Sequence, residues 1–514
     1  MSVLPLMGDL SSTAITPDER ELLSERRLAG VCLFGRNVQD RYQLADYLAE
    51  ARSLAGDDLI VAIDQEGGGV LRVLDVPFPP PAMALGAADD VALTEAVASA
   101  TGRALAGIGI NLDFAPVADV NSNPLNPVIG DRSFGADPTL VGRHVAAFVR
   151  GLQSAGVGAT LKHFPGHGDT SLDSHLALPT VERSLDDLRR TELPPFQAGF
   201  GAGAAAVMSA HIVLPALEAD LPATLSRRAL HDLLRTELGY GGLAITDALD
   251  MKAVSERFDP GTAAVMALRA GADLPLTLGP LAVQRRALGA IEGAVAAGEL
   301  DAGEYATTLG RIASFARRFP ARPAGRSYGT GGETAGELAD YATMAEATRR
   351  GLVAVGELPR LAPGDRIALI ATTAVRANAA SQLSARPADG LVSELERRGV
   401  YVERIHLTWG ETADVTPGLG GMNPLPDAVV YVSTSRTRVA DGEVASALRA
   451  AEWARYAGVP FVHVALWNPY SAAVVPGPAL LAFGYRGSAP QAVVDALLGR
   501  PVTGKLPVPL TARA

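Results

Sequence analysis

The 514-residue chain contains one cysteine, Cys32, within the apolar run Val31-Cys-Leu-Phe34. No intrachain disulfide is available, and a thiol in such a run reads as buried and inert. There is no run of basic residues, and the formal net charge is -11. Nucleic acid and anionic membrane surfaces are therefore not expected partners. The N-terminal stretch Met1-Ser-Val-Leu-Pro-Leu-Met-Gly-Asp9 has no positive n-region, and its apolar residues are interrupted. It reads as neither a signal peptide nor a membrane span, so the expected location is the cytoplasm. Internal repeats and low-complexity tracts are absent. A Gly-rich dinucleotide fingerprint is also lacking, because Glu66-Gly-Gly-Gly-Val70 does not have the required spacing.

With 48% hydrophobic and 20% charged residues, the chain can bury more than one core, which predicts two domains. Short apolar runs recur at Gly30–Phe34, Leu59–Ile63, Asn111–Val117, Gly158–Lys162, Ala205–Ser209 and Leu243–Thr246. Ala272–Leu276 is a weaker seventh, interrupted by Pro275. Amphipathic segments lie between them, among them Asp90–Gly107, Leu140–Ala155, Leu185–Gly199 and Arg227–Leu238. Strand–helix alternation over this length implies parallel strands with helical crossovers, and six or seven units fit a (β/α)8 barrel. A doubly wound sheet is the competing architecture. Thr16-Pro17-Asp18-Glu19 reads as a capping box with proline at the first helical position, and Ser184 as a second N-cap.

From Arg317 to Glu333 the chain is rich in Pro, Gly and Arg. The division read from this is a barrel over 1–316, a linker over 317–340 and a smaller C-terminal α/β sandwich domain over 341–514. Strands of the second domain are expected at Arg366–Ala371, Ala428–Ser433, Phe461–Leu466 and Leu480–Phe483, with helices at Leu391–Arg398 and Gly442–Tyr456.

The densest chemistry follows the fourth apolar run. Lys162-His-Phe-Pro-Gly-His-Gly-Asp-Thr170 continues through Ser171-Leu-Asp-Ser-His175, placing a cation, three histidines and two aspartates on one loop. A solvated turn with capping side chains is the plain alternative. A zinc site fails on ligand count, because the histidines sit on a Pro/Gly-interrupted loop without a second His/Cys pair. In a barrel, reactive groups stand at the carboxyl ends of strands. Asp64, Asp113, Asp119, Ser209, His211 and Asp247 all occupy such positions, although any one of them alone reads equally well as a helix cap. A carboxylate with a proton carrier suits glycoside hydrolysis by the retaining route. Asp247 is a candidate nucleophile. Asp173-Ser-His175 offers an imidazole oriented by a carboxylate, able to act as acid and then base.

At these residues the chain resembles family 3 glycoside hydrolases, in the β-N-acetylglucosaminidase branch. The matching motifs are Asp64-Gln-Glu-Gly-Gly68, Asn111-Leu-Asp-Phe-Ala-Pro116, Asp131-Arg-Ser-Phe-Gly135, Lys162–Asp169 with Asp173-Ser-His175, and Thr246-Asp247. The resemblance implies Asp247 as nucleophile and His175 as acid/base assisted by Asp173. It implies Asp64, Arg72, Arg132, Lys162 and His163 as contacts to an N-acetylglucosamine ring, and it implies no cofactor or metal. The expected substrates are muropeptide or chitin-type oligosaccharides, which fits cell-wall recycling. A phosphorylase using the same site and a non-catalytic sugar-binding protein are the alternatives. Many family members carry Arg after Asp-Gln-Glu-Gly-Gly, whereas Gly69 stands here. The composition of the histidine loop predicts that it moves during turnover. In the C-terminal domain the looser matches are Ala479-Leu-Leu-Ala-Phe-Gly-Tyr485 and Gly504-Lys-Leu-Pro507.

Overall fold

The computed structural model describes residues 3–170, 178–321, 334–372, 386–407, 414–435 and 441–510. Eight parallel strands close into a barrel: β1 Leu4–Asp9, β2 Leu28–Leu33, β3 Ile60–Ile63, β4 Leu112–Asp113, β5 Gly158–Phe164, β6 Ala206–Ser209, β7 Leu243–Ala248 and β8 Leu274–Leu276. The strands are apolar on both faces because helices cover the outside and side chains fill the inside. Met7, Cys32, Ala62, Leu112, Phe114, Met208 and Ile245 pack together in the interior. Burial pushes the Cys32 thiol well above its usual range. At the amino-terminal end Phe315, on the helix Ala302–Arg318, fills the barrel floor so closely that a Cβ at Gly158 would lie 2.6 Å from its ring.

Four strands differ from expectation for identifiable reasons. β1 was not legible because Pro5 and Gly8 interrupt its apolar residues. The β1–β2 register slips between Leu4 and Met7, which accommodates a residue with no N–H to donate, and Met7 pairs with Leu276 to close the barrel. β4 is only two residues long, since Pro116 cannot continue the ladder, although Val117 bridges to Lys162 further on. β5 and β7 run beyond their apolar runs, so Lys162, His163 and Asp247 sit on strands rather than on loops.

The capping box at Thr16 forms: its hydroxyl accepts from Glu19 N, and Glu19 Oε2 accepts from Thr16 N at 2.8 Å. The segment read as one helix over Leu185–Gly199 is two, Leu185–Thr191 and Leu193–Gly201, broken at Glu192 ahead of Pro194 and Pro195.

In the second domain six strands, β9 Val353–Val355, β10 Arg366–Thr372, β11 Tyr401–Leu407, β12 Ala428–Ser433, β13 Phe461–Ala465 and β14 Ala479–Leu481, form one sheet in the order β11-β10-β12-β13-β14-β9. All pairs are parallel except β14–β9. The two edge strands escape a reading by apolar run. β9 is three residues long, and β11 intersperses exposed Tyr401, Arg404 and His406 with half-buried Val402, Glu403 and Ile405, as an edge strand does. The helices Ala302–Arg318 and Ala335–Gly351 both reach into the 317–340 stretch. Among the described residues no helix is long and apolar enough to cross a membrane.

On the barrel's outer ring the helices Val91–Ile108 and Pro138–Ser154 pack at backbone distance. A Cβ at Gly151 would stand 2.2 Å from the Glu95 carbonyl oxygen. Gly151→Val is expected to destabilise the fold by about 2 kcal/mol or more, read as a lowered midpoint in chemical denaturation.

Candidate active site

The carboxyl ends of the barrel strands surround a cavity of about 710 Å3. Asp9, Phe34 and Arg36 contribute from the ends of β1 and β2. Asp64, Glu66 and Arg72 come from the loop after β3, Arg132 from the loop after β4, Lys162, His163 and His167 from β5 and its loop, and Asp247 and Asp250 from β7.

These groups are joined rather than merely adjacent. Lys162 Nζ lies 2.7 Å from Asp64 Oδ1 and 2.5 Å from Glu66 Oε1. Arg72 donates to the other Asp64 oxygen at 3.1 Å. Arg132 grips Glu66 with two bonds of 2.7 Å, and its Nη2 approaches His163 Nε2 at 3.3 Å. His163 Nδ1 faces Asp119 Oδ2 at 2.7 Å, and Asp119 Oδ1 accepts the backbone N–H of His167 at 2.7 Å.

Local sequence explains how this is held. The Gln65 side chain accepts from Arg72 N at 2.9 Å and donates to Val73 O at 2.7 Å, folding the loop back on itself. Gly67 and Gly68, both at positive φ, make that reversal possible. Below the histidine loop, the Asn126 amide donates to the carbonyls of His167 and Gly168 at 2.8 and 3.0 Å, and Gly168 passes so near Val120 that a Cβ would lie 1.7 Å from its carbonyl oxygen.

Ionisation follows from burial set against pairing. Burial alone would raise Asp64 and Glu66, but Lys162 with Arg72, and Arg132 with Lys162, outweigh it and hold both carboxyls below their usual range. Asp119 is buried too, and His163 brings it below its usual range. Lys162 is raised by Asp64 and Glu66 against the opposing effect of burial. Where partners are few, burial wins. Asp113 is pushed to about 8 and Asp9 to about 6, while burial and neighbouring His163 bring His167 down to about 4.

All the sugar contacts expected from the motifs, Asp64, Arg72, Arg132, Lys162 and His163, line the one cavity together with Asp247. Asp173 and His175 lie outside the described residues, as does the rest of the histidine loop beyond Thr170, whereas the backbone from Phe164 to Thr170 belongs to a bonded interior. Asp113 and Asp119 stand behind the cavity wall. Asp113 accepts from Gln65 N, and Asp119 orients His163. His211 bonds Thr224 Oγ1 at 2.8 Å and the Ala248 carbonyl at 2.9 Å, supporting the backbone beside Asp247, and Ser209 donates to the same Thr224. Glu66, Asp9, Arg36 and Asp250 were not assigned roles from sequence. Glu66 stands inside a motif that signalled it, and Arg36 follows the apolar run Gly30–Phe34, but Asp9 ends a strand that no apolar run marks. Among the described residues no set of three or more His, Cys, Asp or Glu side chains is arranged to hold a metal.

A closed (β/α)8 barrel with a carboxylate-rich, ion-paired cavity at its strand ends has the architecture of a glycoside hydrolase. The family model described as "Glycosyl hydrolase family 3 N terminal domain" matches residues 6–315, and the chain belongs to that family. It is 37% identical over 339 residues to "Beta-hexosaminidase A" of Pseudoalteromonas piscicida, covering 60% of this chain and 56% of that one. The chain thus spans little more than half the length of that relative. It is 39% identical over 295 residues to a "Beta-hexosaminidase" of Stenotrophomonas maltophilia (strain K279a), covering 56% of this chain and 87% of the relative. Among solved structures, the glycoside hydrolase family 3 beta-N-acetylglucosaminidase from Paenibacillus sp. str. FPU-7 superposes with a TM-score of 0.89 at 33% identity, covering 99% of this chain and 98% of that one. The motif-based resemblance and the two-part architecture are borne out by these matches.

Lys162→Met leaves Asp64 and Glu66 without their shared cation, and stability is expected to fall by about 3–5 kcal/mol in chemical denaturation. For Asp113 the sign runs the other way. Its folded-state value near 8 exceeds the unfolded 3.8, so the native state loses stability as pH rises between those values. Asp113→Asn removes the ionisable group, so the stability of the variant relative to the parent is expected to rise from pH 5 to pH 8, an interval within that window. Equal slopes in the two proteins would contradict the assignment.

Proposed function

We propose that the chain is a retaining β-N-acetylglucosaminidase that releases terminal N-acetylglucosamine from muropeptide or chitin-type oligosaccharides. The observation that carries this reading is that the Asp247 carboxylate shares one cavity with a rigid, alternating set of donors and acceptors: Asp64, Arg72, Lys162, Arg132 and His163. A sugar ring with hydroxyls and an acetamido group offers the complementary pattern. In the first step an Asp247 oxygen bonds to the anomeric carbon as the glycosidic bond breaks, and His175 gives its proton to the leaving oxygen. In the second, His175 takes a proton from water as the water oxygen attacks that carbon and releases Asp247, restoring the β-anomer. Asp173 orients the imidazole in both steps. A cytoplasmic role in cell-wall recycling accompanies this reading.

Water is favoured over phosphate as the incoming group by the charge already in place. Among the described residues each cation lining the cavity is paired: Arg36 with Asp9, Arg72 with Asp64, Lys162 with Asp64 and Glu66, and Arg132 with Glu66. A phosphate dianion entering there would meet carboxylates with their counter-charges already engaged.

The deciding measurement is product analysis by NMR on an aryl β-N-acetylglucosaminide with and without phosphate. Free N-acetylglucosamine, formed as the β-anomer in both conditions, is expected. N-acetylglucosamine-1-phosphate as product would make the chain a phosphorylase, and no turnover in either condition would favour a non-catalytic sugar-binding protein. Asp247→Asn is expected to lower kcat by about four orders of magnitude without changing the thermal midpoint.

A further inference from the structure

Among the described residues, those lining the cavity run from Asp9 to Gln284, all in the barrel. Yet the second domain makes three contacts with two of the loops that bear the cavity's polar groups, the loop after β3 and the loop after β4. In the loop from Asp64 to Arg72, Gly69 lies against the Trp467 indole, and a Cβ built there would stand 2.8 Å from Trp467 Cζ2. All three atoms nearest that Cβ belong to Trp467, and Gly69 is not among the glycines at positive φ. Its backbone therefore accepts a side chain, and the indole is what excludes one. Trp467 is only 4% exposed and packs on Tyr485 with ring centroids 5.2 Å apart. The same loop is confined from within the barrel, since a Cβ at Gly68 would lie 2.7 Å from the Pro81 ring.

The second contact is three residues further along the chain. The Asn121 amide donates to Tyr470 Oη at 2.7 Å, two residues beyond the Asp119 that holds His163 and His167. The third is at Ala136, whose N–H donates to the Pro507 carbonyl at 3.0 Å, while a Cβ at Gly135 would lie 2.6 Å from that oxygen. Gly135 closes the segment that carries Arg132.

We propose that the second domain is the positioning element of the sugar-binding loops, with Trp467 as its principal positioning residue and Tyr470 and Pro507 as secondary holds. Trp467 touches neither the cavity nor the reacting atoms. It acts through Gly69 on Asp64 and Arg72 at the two ends of one short loop, and it occupies the space that a side chain at position 69 would otherwise fill. This deepens the reading of the cavity as the N-acetylglucosamine site and rests on it.

The test is a double-mutant cycle on the full chain, with Gly69→Ala, Trp467→Ala and their combination assayed on an aryl β-N-acetylglucosaminide. Each single substitution is expected to raise KM roughly tenfold or more, with a smaller change in kcat. The combination is expected to raise it by much less than the product of the two, because the alanine methyl then has room. Tyr456→Ala, on the exposed surface of the same domain, is expected to leave KM unchanged. Independent, multiplicative effects, or an unchanged KM in Trp467→Ala, would overturn the proposal. Amide exchange over residues 64–73 is the readout that does not depend on turnover. In Trp467→Ala it is expected to quicken there while the strand 158–164 stays protected, and Trp467→Phe is expected to restore much of the protection. Faster exchange throughout the barrel would reduce Trp467 to a general structural role. Failure of the wild-type chain to turn over the glycoside would instead count against the functional reading and leave the exchange result to decide on positioning.

Discussion

Buried charge has to be balanced within a few ångströms, and the mouth of this barrel is organised by that requirement. Arg72, Asp64, Lys162, Glu66, Arg132, His163 and Asp119 form one connected chain of contacts across the loop after β3, the segments after β4 and the strand β5. Removing a member would strand a charge in a poorly solvated site, which is why the geometry is over-determined. The outcome is a surface dense in oriented donors and acceptors but with its cations and carboxylates mutually compensated. Such a surface suits a neutral polar ligand, since its dipoles do not have to reorganise when the ligand arrives.

The backbone serves the same end. Gly168 lets the histidine loop lie on Val120, and Asn126 binds its carbonyls from beneath. Ser209 and His211, which sequence alone offered as reactive groups, both bond Thr224, and His211 also bonds the Ala248 carbonyl next to Asp247. Asp113 and Asp119 likewise serve by holding Gln65 and His163. Several polar side chains at strand ends thus prove to be the supports of the residues that face the cavity.

The departure at Gly69 shows how a single position can mislead when taken alone. Read from the motif, the missing side chain weakens the loop. In the fold, the Trp467 indole, nearly four hundred residues away along the chain, occupies the adjoining space. The loop is filled from outside rather than from within. No local pattern links positions 69 and 467, because the contact exists only once the barrel and the second domain meet.

The strand ends carry the clearest lesson about legibility. Runs of Val, Ile, Leu and Ala disclose buried parallel strands because both faces of such strands are covered, and the barrel followed from their alternation with amphipathic helices. Clusters of His, Lys and Asp pointed to a candidate site at the carboxyl ends, and the motifs identified the family that the comparisons then bore out. What composition could not disclose was any element whose stabilisation is not local. β1 holds despite Pro5 because β2 and β8 flank it, and β11 is an edge strand with polar residues on its open side. Pairing partners for Asp64, Glu66 and Asp119, and the ionisation that follows, were likewise unreadable. By itself the sequence determined which residues are apolar, which are chemical and in what order they come. Only the tertiary structure decided which charges neutralise one another and which loops the second domain holds, because both depend on distances between residues far apart in the chain.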